Sequence, residues 1–503
     1  MSSWFYTIFM PAEFFEPISN NGNPPIYRFF DGKDWKESTS GKRTSILSPI
    51  DGSVVGELQV VTHEEIDEAM EKAVAAQTKW EATPLNERVK IVHLAADWIM
   101  HYEEYLTALL AREVGKTLGE AKSEIKRTAE LTDYFADEVQ SIRGETLESD
   151  KFPGYKKDSI AVIERVAHGV VLCIAPFNYP VNLAGSKIAP ALLMGNSVVF
   201  KPPTQGGISG LHLTRIFEKA GVPEGVITCL TGGGGEIGDY LVSHKRVAMV
   251  AFTGNSDTGM AIASKAPMKQ LLFECGGNNA TIVFPDADMT LTAKEIIKGG
   301  YSYAGQRCTA IKYVMGTQGV LDQLLPIVLE NMKEMVHMGD PRDAATKMVG
   351  PVVTVKVAED IERVINEAIG EGATVATGGH RKDAYIEPTI LTNVKPTMKI
   401  VSTEVFGPVI SFIAVADMDE AARIVNAQRF GLQACVFTED EGTGLKYSNL
   451  LNVGTVQING SPQRGPDHFP FLGVKQSGVG VQGVRYSLEA MSRLKPVVIN
   501  KPQ

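Results

Sequence analysis

The stretch GVVLCIAPFNYPVNLAGSKIAPALLMGNSVVFK, residues 169–201, decides the fold. It holds two short apolar runs rich in β-branched residues, GVVLCI (169–174) and NSVVFK (196–201), separated by a segment of helical length and pattern. The alternation continues with GVITCL (225–230), VAMVAF (247–252) and QLLFE (270–274). Buried strands that alternate with helices are typical of right-handed βαβ crossovers. The sequence therefore predicts a doubly wound parallel sheet, covered on both faces, of the kind that binds dinucleotides.

Helical patterns precede this sheet, and a second alternation of strands and helices follows it. A capping box at Thr62 and Glu65 opens a helical stretch that runs to about residue 141. After residue 279 the clearest helix spans 356–370, and strand-like runs lie at 280–284, 311–316, 409–415, 433–437 and 454–459. We therefore predict an α/β protein with a helical layer, a parallel-sheet domain and a second α/β domain.

Composition and charge exclude several classes of protein. The net charge of -10 gives no reason to expect a nucleic acid or an anionic membrane as partner. The cysteines show neither CxxC nor Cys/His ligand spacing, so we expect a reducing compartment and no metal site. The segment MSSWFYTIFM (1–10) lacks the basic region of a signal peptide, and no apolar run is long enough to cross a membrane. We expect a cytoplasmic protein.

One cysteine stands in a setting that favours chemistry. The stretch YSYAGQRCTAI (301–311) places Cys308 directly after Arg307 and close behind Gly305, where the backbone can approach a neighbour closely. The Arg307 cation could hold a thiolate or an anionic substrate. We interpret Cys308 as a nucleophile, although a small buried hydrophobic residue would explain this stretch equally well on its own.

Two glycine-rich turns follow strands of the predicted parallel sheet. GGGEIG (233–238) fits the pattern GxGxxG and opens a helix, where backbone amides can receive a pyrophosphate. FTGN (252–255) occupies the same position one βα unit later, and Gly254 and Gly259 flank its helix start. Each turn alone could be an ordinary loop, but two of them in one doubly wound sheet favour a nucleotide site.

Two polar residues stand at the carboxyl ends of predicted strands, where open α/β sheets bind their ligands. Glu274 could activate a water, or it could be a salt-bridged strand end. Asn178 could donate to an oxyanion, or it could be a turn residue. With Cys308 they describe one reaction, in which a thiolate adds to an aldehyde, hydride passes to a nicotinamide, and activated water hydrolyses the thioester. This set predicts oxidation of an aldehyde to an acid.

From about residue 28 to the C-terminus the sequence resembles the aldehyde dehydrogenase superfamily. The motifs that carry the resemblance are PFNYP (176–180), KPPTQ (201–205), FTGN (252–255), ECGG (274–277), GQRC (305–308), EVFGPV (404–409) and FPFLGVKQSG (469–478). The resemblance implies Cys308 as nucleophile, Glu274 as general base and Asn178 as oxyanion donor. It also implies cofactor contacts at Ala175, Lys201, Thr204, Gly235, Gly254, Asn255, Gly259, Glu404 and Phe406.

The resemblance also implies a domain plan and a homotetramer. We expect an aldehyde dehydrogenase-like fold with a doubly wound cofactor domain, a catalytic domain and a small oligomerisation element. The strand-like segment KPVVIN (495–500) could add to a neighbouring sheet in an oligomer. We expect an N-terminal extension at 1–25, which we interpret as an extended arm, and a cofactor domain at 26–141 and 164–279, which the chain rejoins near 460–483. The catalytic domain is expected at 280–459, and the oligomerisation element at 142–163 and 484–503.

Departures from the superfamily pattern narrow the cofactor. Members that prefer NAD have a glutamate three residues after the lysine, where this chain has Thr204. That carboxylate would repel a 2′-phosphate, so its absence favours NADP, with NAD as a weaker alternative. Tyr303 replaces a common asparagine, and Asn255 stands where serine is more usual, which leaves the pyrophosphate contact there open.

Four stretches are closely similar to one branch of the superfamily, the non-phosphorylating glyceraldehyde-3-phosphate dehydrogenases: NYPVNLAGSKIAPAL (178–192), KPPTQG (201–206), YSYAGQRCTA (301–310) and PQRGPDHFPF (462–471). That branch uses NADP and makes 3-phosphoglycerate without taking up inorganic phosphate. Arginine forks suit a phosphate well. The resemblance implies substrate contacts at Arg127, Asn178, Tyr179, Arg307, Thr309 and Arg464.

Two alternatives remain open. The first is a dehydrogenase of another small or acidic aldehyde, such as lactaldehyde or succinate semialdehyde, because Arg307 and Arg464 could also hold a carboxylate. The second is a thiol esterase, or a binding protein that keeps the fold without turnover, for which the complete set of site residues gives little support. Cofactor binding separates the second from the first, since an esterase needs none.

Overall fold

The predicted doubly wound sheet is built around the strand Val170–Ile174. The structure is a computed structural model that describes residues 11–20, 22–154 and 158–500. From edge to edge the eight strands are Gly478–Val479, Gln270–Glu274, Val247–Thr253, Val170–Ile174, Ser197–Lys201, Ile227–Cys229, Phe29–Phe30 and Trp35–Lys36. The five inner strands are parallel, and the outer ones pair antiparallel. The chain winds outward from the centre in both directions, so the direction of winding reverses between Val170–Ile174 and Val247–Thr253.

Helices cover both faces of this sheet, as the period of the sequence predicts. Alternate residues of the central strand enter opposite cores, Val171 and Cys173 on one face and Leu172 and Ile174 on the other. The helices of the layer and of the crossovers are His63–Ala82, Leu85–His101, Glu103–Val114, Leu118–Glu138, Asn182–Leu193, Gly207–Lys219, Asp239–Ser243 and Ser256–Lys265. The capping box at Thr62 forms as predicted.

The N-terminal segment corrects one expectation. Residues 1–10 lie outside the described part of the chain, but Pro11–Phe15 is a short helix followed by a 3₁₀ turn, Glu16–Ile18, rather than an extended arm. Phe14 and Phe15 are buried, and their rings contact Tyr102 with centroids 4.7 and 5.0 Å away. Burial of these two aromatic rings against the helical layer explains why the segment folds back.

The second α/β domain is centred on a seven-stranded sheet. Its strands, in spatial order, are Thr374–Thr377, Thr389–Thr392, Val409–Ala414, Ile311–Gly316, Asn279–Val283, Gln433–Phe437 and Thr455–Ile458. All are parallel except Thr374–Thr377 at one edge. The helices are Met289–Tyr301, Gln318–Met335, Val355–Gly370, Lys399–Ser402, Met418–Ala427 and Glu441–Leu450. The five predicted strands are present, and the two at the 374–392 end are additional.

A third sheet corrects the boundary expected between residues 163 and 164. Ser159–Ala167 is one continuous strand, paired antiparallel with Glu145–Glu148 on one side and Ser492–Asn500 on the other. The boundary therefore falls inside a strand. The segment 495–500 pairs with residues of its own chain, and it forms the edge of this sheet. The helix Val484–Ala490 leads into it.

Small elements complete the described fold. One minor sheet has three strands, Ile26–Tyr27, Val54–Gln59 and Arg43–Leu47, in that order. Three others have two strands each: His337–Met338 with Met348–Val349, Arg381–Lys382 with Tyr385–Ile386, and Phe430–Gly431 with Val474–Lys475. Single turns of helix lie at Val139–Ser141, Ser149–Lys151, Gly234–Gly238 and Ser302–Gly305. Among the described residues, no helix combines the length and the apolar character that a membrane span requires.

Candidate active site

A cleft of 530 Å³ opens at the carboxyl edge of the parallel sheet, where the winding reverses. This is the position at which doubly wound sheets bind their ligands. The second domain closes the cleft with Val353, Thr354 and Val357. The predicted site residues that line it are Ala175, Asn178, Thr204, Gly254, Asn255, Cys308, Glu404 and Phe406.

A row of hydrogen-bonded side chains leads away from Cys308. Its Sγ donates to Glu274 Oε1 at 3.2 Å, and Glu274 Oε2 accepts from Arg464 Nη1 at 2.5 Å. Arg464 Nη2 donates in turn to Gln482 Oε1 at 2.7 Å. Glu274 is 2% exposed and Cys308 is half-buried, so this row joins a partly exposed thiol to a buried carboxylate and a guanidinium.

The surroundings of Cys308 disfavour its thiolate. Burial raises the pKa of Cys308 well above its ordinary value, and the carboxylates of Glu274 and Glu404 raise it further. Arg464 lowers the pKa of Cys308. The sequence suggested Arg307 as the cation for the thiolate, but its Nη2 donates to the carbonyl of Gly299 at 2.7 Å. The cation of this row is Arg464, which sequence spacing alone could not identify.

Asn178 lies beside the loop that carries Cys308. Its Nδ2 donates to the backbone oxygen of Gln306 at 3.0 Å, which leaves one N–H of the amide free for another acceptor. Gln306 Oε1 accepts from the N–H of Val353 at 2.8 Å. These bonds fix Asn178 beside the cysteine loop, on the wall of the cleft.

The chain reaches Cys308 through a left-handed turn. Tyr303, Ala304 and Gly305 have φ values of 52°, 50° and 68°. Gly305 is required, as predicted, because a Cβ there would lie 2.2 Å from the carbonyl oxygen of Gly407. For the two non-glycine residues this conformation costs on the order of 1–3 kcal/mol each. The surrounding contacts must therefore hold the turn in place.

The far wall of the cleft carries a half-buried acid, Glu404, and behind the wall lies a buried base, Lys312. Glu404 Oε1 accepts from the N–H of Gly277 at 3.0 Å. Burial raises the pKa of Glu404 to about 7, against the opposing effect of the Lys312 charge. Burial likewise lowers the pKa of Lys312 to about 8, and Glu404 opposes that shift. Lys312 Nζ donates to the carbonyl of Gly305 at 2.9 Å, so it ties this wall to the cysteine loop.

Lys201 is a buried cation without an ion-pair partner among the described residues. It ends the strand Ser197–Lys201, and its Nζ donates only to the carbonyl of Pro202, at 3.1 Å. Burial lowers the pKa of Lys201 to about 8. Thr204 follows three residues later and lines the cleft. A charged donor with free N–H groups and, three residues later, a hydroxyl are groups that suit a ribose or a phosphate.

The helix that follows Thr204 has its N-terminus occupied by a side chain. Glu113 is fully buried and accepts from the N–H groups of Gly206, Ile208 and Ser209 at 2.8–3.1 Å. These are the amides that would otherwise face an anion at the start of Gly207–Lys219. Burial raises the pKa of Glu113 to about 7, against those hydrogen bonds. The helix start is therefore not available to a ligand.

The other predicted cofactor residues differ in how they meet the cleft. Asn255 lines it, but its Oδ1 accepts from the N–H of Asp257 at 2.8 Å and caps Ser256–Lys265. Gly259 packs the helix closely, since a Cβ there would lie 2.7 Å from Cys275 Sγ. Gly235 is in the turn Gly234–Gly238 and is not among the lining residues. The structure thus brings Asn255 to the cleft and leaves Gly235 away from its wall.

Apart from Asn178, the predicted substrate residues do not line the cleft. Arg127 forms a two-point ion pair with Asp467, with Nε–Oδ2 and Nη2–Oδ1 distances of 2.7 Å. Tyr179 is half-buried, and desolvation raises the pKa of its hydroxyl to about 12 while Arg307 lowers it. Arg307 Nε is buried without a hydrogen-bond partner, and within the described part of the chain Arg307 makes no ion pair. Thr309 is buried and does not line the cleft.

Comparisons with known proteins agree with this geometry. The profile of the aldehyde dehydrogenase family matches residues 35–497. A pea NADP-dependent glyceraldehyde-3-phosphate dehydrogenase is 43% identical over 479 residues, which are 95% of this chain and 96% of the relative. The enzyme of the same name from Streptococcus equinus is 42% identical over 94% of this chain and 98% of its own.

A solved structure extends the agreement to three dimensions. The NADP-dependent glyceraldehyde-3-phosphate dehydrogenase of Bacillus halodurans C-125, complexed with NADP, superposes with a TM-score of 0.92 at 43% identity. The match covers 94% of this chain and 99% of that one. The resemblance read from the motifs is therefore confirmed over nearly the whole length, and the chain belongs to the aldehyde dehydrogenase family.

Proposed function

We propose that this protein oxidises D-glyceraldehyde 3-phosphate irreversibly to 3-phosphoglycerate, with NADP and water and without inorganic phosphate. The observation that carries the proposal is the 3.2 Å hydrogen bond between Cys308 and Glu274 beside the cleft. It joins a nucleophile to a carboxylate that can act as a base. The names of the relatives at 42–43% identity support the substrate and the cofactor.

The first half of the reaction forms a thioester. Cys308 Sγ adds to the aldehyde carbon as the thiol proton leaves to solvent, so that Glu274, whose Oε1 lies 3.2 Å from Sγ, stays ionised for the second half. The free N–H of Asn178 and a backbone amide hold the oxygen of the thiohemiacetal as it becomes negative. Bound NADP supplies the hydride acceptor. When the carbonyl re-forms and the hydride leaves, the substrate remains on Cys308 as a thioester.

The second half releases the acid. Glu274 takes a proton from water, whose oxygen attacks the thioester carbon, and Sγ leaves as a thiolate. Arg464 fixes the carboxylate of Glu274 for this step through the 2.5 Å bond to Oε2. Because water and not phosphate is the attacking group, the product is the free acid, and no acyl phosphate forms.

The residues present fit NADP. Lys201 brings a buried charge with no carboxylate partner among the described residues, and Thr204 brings a hydroxyl in place of an acid. Gly276 lies against Glu404, since a Cβ there would lie 2.2 Å from Oε2, so this part of the cleft admits only bare backbone. We propose that Lys201 and Thr204 hold the adenosine ribose and its 2′-phosphate, and that Glu404 and Phe406 hold the nicotinamide end.

Arg307 makes the strongest case for an anionic substrate. Its Nε is buried and has no protein partner, although such donors are rarely left unsatisfied. Arg127 and Arg464 are each paired with a carboxylate of this chain. We propose that the substrate phosphate takes the open donor of Arg307 with the help of Tyr179, Arg127 and Arg464, and that these two exchange part of their ion pairs for it.

A second candidate is an aldehyde that carries a carboxylate in place of the phosphate. The same open donor on Arg307 would serve a carboxylate, and Cys308 and Glu274 would keep their roles. The phosphate is favoured because it presents more acceptor oxygens to the four cationic and hydroxyl groups. Lactaldehyde, which has no anionic group, would leave the Arg307 donor unsatisfied.

The initial rate of cofactor reduction tests the proposal. We expect turnover of glyceraldehyde 3-phosphate with NADP, slower turnover with NAD, and no dependence on added inorganic phosphate. A strict need for phosphate would refute hydrolysis by water. Turnover of succinate semialdehyde in preference to the phosphorylated aldehyde would refute phosphate as the anion that Arg307 holds, and would favour a carboxylate there.

We further propose that the protein is a cytoplasmic homotetramer. The sheet of Glu145–Glu148, Ser159–Ala167 and Ser492–Asn500 exposes apolar side chains, among them Leu147, Leu494, Val497, Val498 and Ile499, and Phe152, just after its first strand, is exposed as well. Exposed apolar surface of this kind supports an interface between subunits. The described cysteines are all unpaired, which agrees with a reducing compartment. Light scattering should give the mass of four chains.

A further inference from the structure

Tyr303 is the residue of the cysteine loop that departs from the common pattern of the superfamily. Its side chain points out of its own domain into the helical layer, where the hydroxyl donates to the carbonyl of Val114 at 3.0 Å. Tyr303 is 2% exposed. The residue that begins the left-handed turn before Cys308 is therefore anchored to the other domain through its side-chain tip.

Glu120 anchors the same residue through its main chain. Oε1 of Glu120 accepts from the N–H of Tyr303 at 2.5 Å, and Oε2 accepts from the hydroxyl of Thr117 at 2.8 Å. Burial raises the pKa of Glu120. Tyr303 is thus held at two points, its N–H and its hydroxyl, by the end of one helix and the beginning of the next.

A buried ion pair extends this anchor to the loop of Asn178. Lys116 is fully buried with its carboxylate partner, Glu124, whose Oε1 accepts from the N–H groups of Val181 and Asn182 at 3.0 Å. Lys116 Nζ lies 3.5 Å from the ring centroid of Tyr179 and 4.6 Å from that of Tyr303. The ammonium therefore packs under both aromatic rings. One cluster on the helical layer fixes both loops that meet beside the thiol.

We propose that Tyr303 and Glu120 form a latch that holds the left-handed turn and so places Cys308 against Asn178 and Glu274. Tyr303 is on this view a positioning residue for the nucleophile. The inference rests on the proposed function, because it takes Cys308 as the nucleophile. Loss of the latch lets the turn relax to an ordinary backbone conformation and moves Sγ away from the carboxylate.

The chain offers a matched control for the hydroxyl of Tyr303. Tyr301, two residues earlier, is fully buried, and its hydroxyl also donates to a backbone carbonyl, that of Thr389 at 3.1 Å. Tyr301→Phe and Tyr303→Phe remove the same kind of bond, and both should lower the melting temperature. Only Tyr303→Phe touches the latch. Glu120→Gln is the second variant, which removes the charge that accepts from the turn.

The readout is the rate at which iodoacetamide alkylates Cys308, located by mass spectrometry, together with kcat and the KM for NADP. For Tyr303→Phe and Glu120→Gln we expect kcat to fall at least about tenfold, because small misplacements of reacting groups have large effects. Alkylation at pH 7 should rise, since Cys308 leaves the carboxylate that raises its pKa. The KM for NADP should not change, and Tyr301→Phe should leave all three quantities at the wild-type value.

Equal effects of Tyr301→Phe and Tyr303→Phe on kcat and alkylation would overturn the latch, as would wild-type alkylation in both latch variants. Alkylation needs no substrate. If the wild-type protein failed to turn over glyceraldehyde 3-phosphate, the proposed function would fall while the alkylation comparison still decided the latch.

Discussion

Replacement of Glu274 by glutamine should make Cys308 more reactive towards alkylating agents while it stops steady-state turnover. In the resting site the carboxylate lies 3.2 Å from Sγ, and it raises the pKa of the thiol. Glutamine keeps the shape of the side chain and removes the charge. The thiolate then forms more readily, but the group that activates water for the thioester is gone.

The size of the effect follows from the distance. Two unit charges at the 3.2 Å separation of Sγ and Oε1 repel by about 5 kcal/mol at an effective dielectric constant of about 20. That repulsion, which is an upper limit because the site relaxes, is one reason why the pKa of the Cys308 thiol is raised. A thiolate loses some nucleophilicity as its pKa falls, so each unit increases the rate by only about three- to fourfold. We expect alkylation at pH 7 to rise by roughly tenfold or more.

The assay is the pH profile of Cys308 alkylation, paired with rapid mixing of enzyme, NADP and aldehyde. Glu274→Gln should shift the alkylation profile to lower pH, give a single-turnover burst of reduced cofactor, and then stall at the thioester. Arg464→Gln should shift the profile to higher pH, because Arg464 lowers the pKa of Cys308. Slower alkylation in Glu274→Gln would refute the reasoning, since it would mean that Glu274 deprotonates the resting thiol.

Four further predictions concern the nucleophile, the cofactor, the substrate and the assembly. Cys308→Ala should abolish reduction of NADP by the aldehyde, and retained activity would end its role as nucleophile. The KM for NADP should rise above about pH 8, where Lys201 loses its proton, and Lys201→Arg should remove this rise because arginine stays charged. Arg307→Gln should raise the KM for glyceraldehyde 3-phosphate by about ten- to a hundredfold, the equivalent of a charged hydrogen bond, and leave the KM for an unphosphorylated aldehyde unchanged. Val498→Glu should reduce the mass seen by light scattering, and an unchanged mass would show that this exposed sheet is not the interface.

The central part of the fold could be predicted because its strands are buried on both faces. Val170–Ile174 and Ser197–Lys201 are apolar runs that only a covered parallel sheet explains. Thr374–Thr377 was missed since it is short, rich in threonine and at a sheet edge. The strand Ser159–Ala167 was divided at residue 163 because it belongs to a separate antiparallel sheet, and its partner Ser492–Asn500 lies more than three hundred residues away.

In the site, too, residues within short motifs could be predicted from the sequence, whereas contacts between residues far apart in the chain could not. Motif order predicted Cys308, Glu274 and Asn178, and the structure brings them to one end of the cleft, where their roles remain predictions. The bond from Arg464 to Glu274 joins residues 190 positions apart, and no period or spacing in a single sequence encodes it. Lys116, Glu120 and Glu124 carried no signal, since a lysine in a turn followed by glutamates on a helix looks like an ordinary exposed polar surface in the sequence.

The carboxylate of Glu113 at the start of Gly207–Lys219 has a consequence for how this cofactor site can change. Where a helix terminus binds the phosphate, recognition resides in main-chain amides, which no mutation replaces. Here those amides are already taken, and recognition falls to the side chains of Lys201 and Thr204. The preference for NADP over NAD can therefore change through single substitutions at these side chains, while the backbone of the site stays the same.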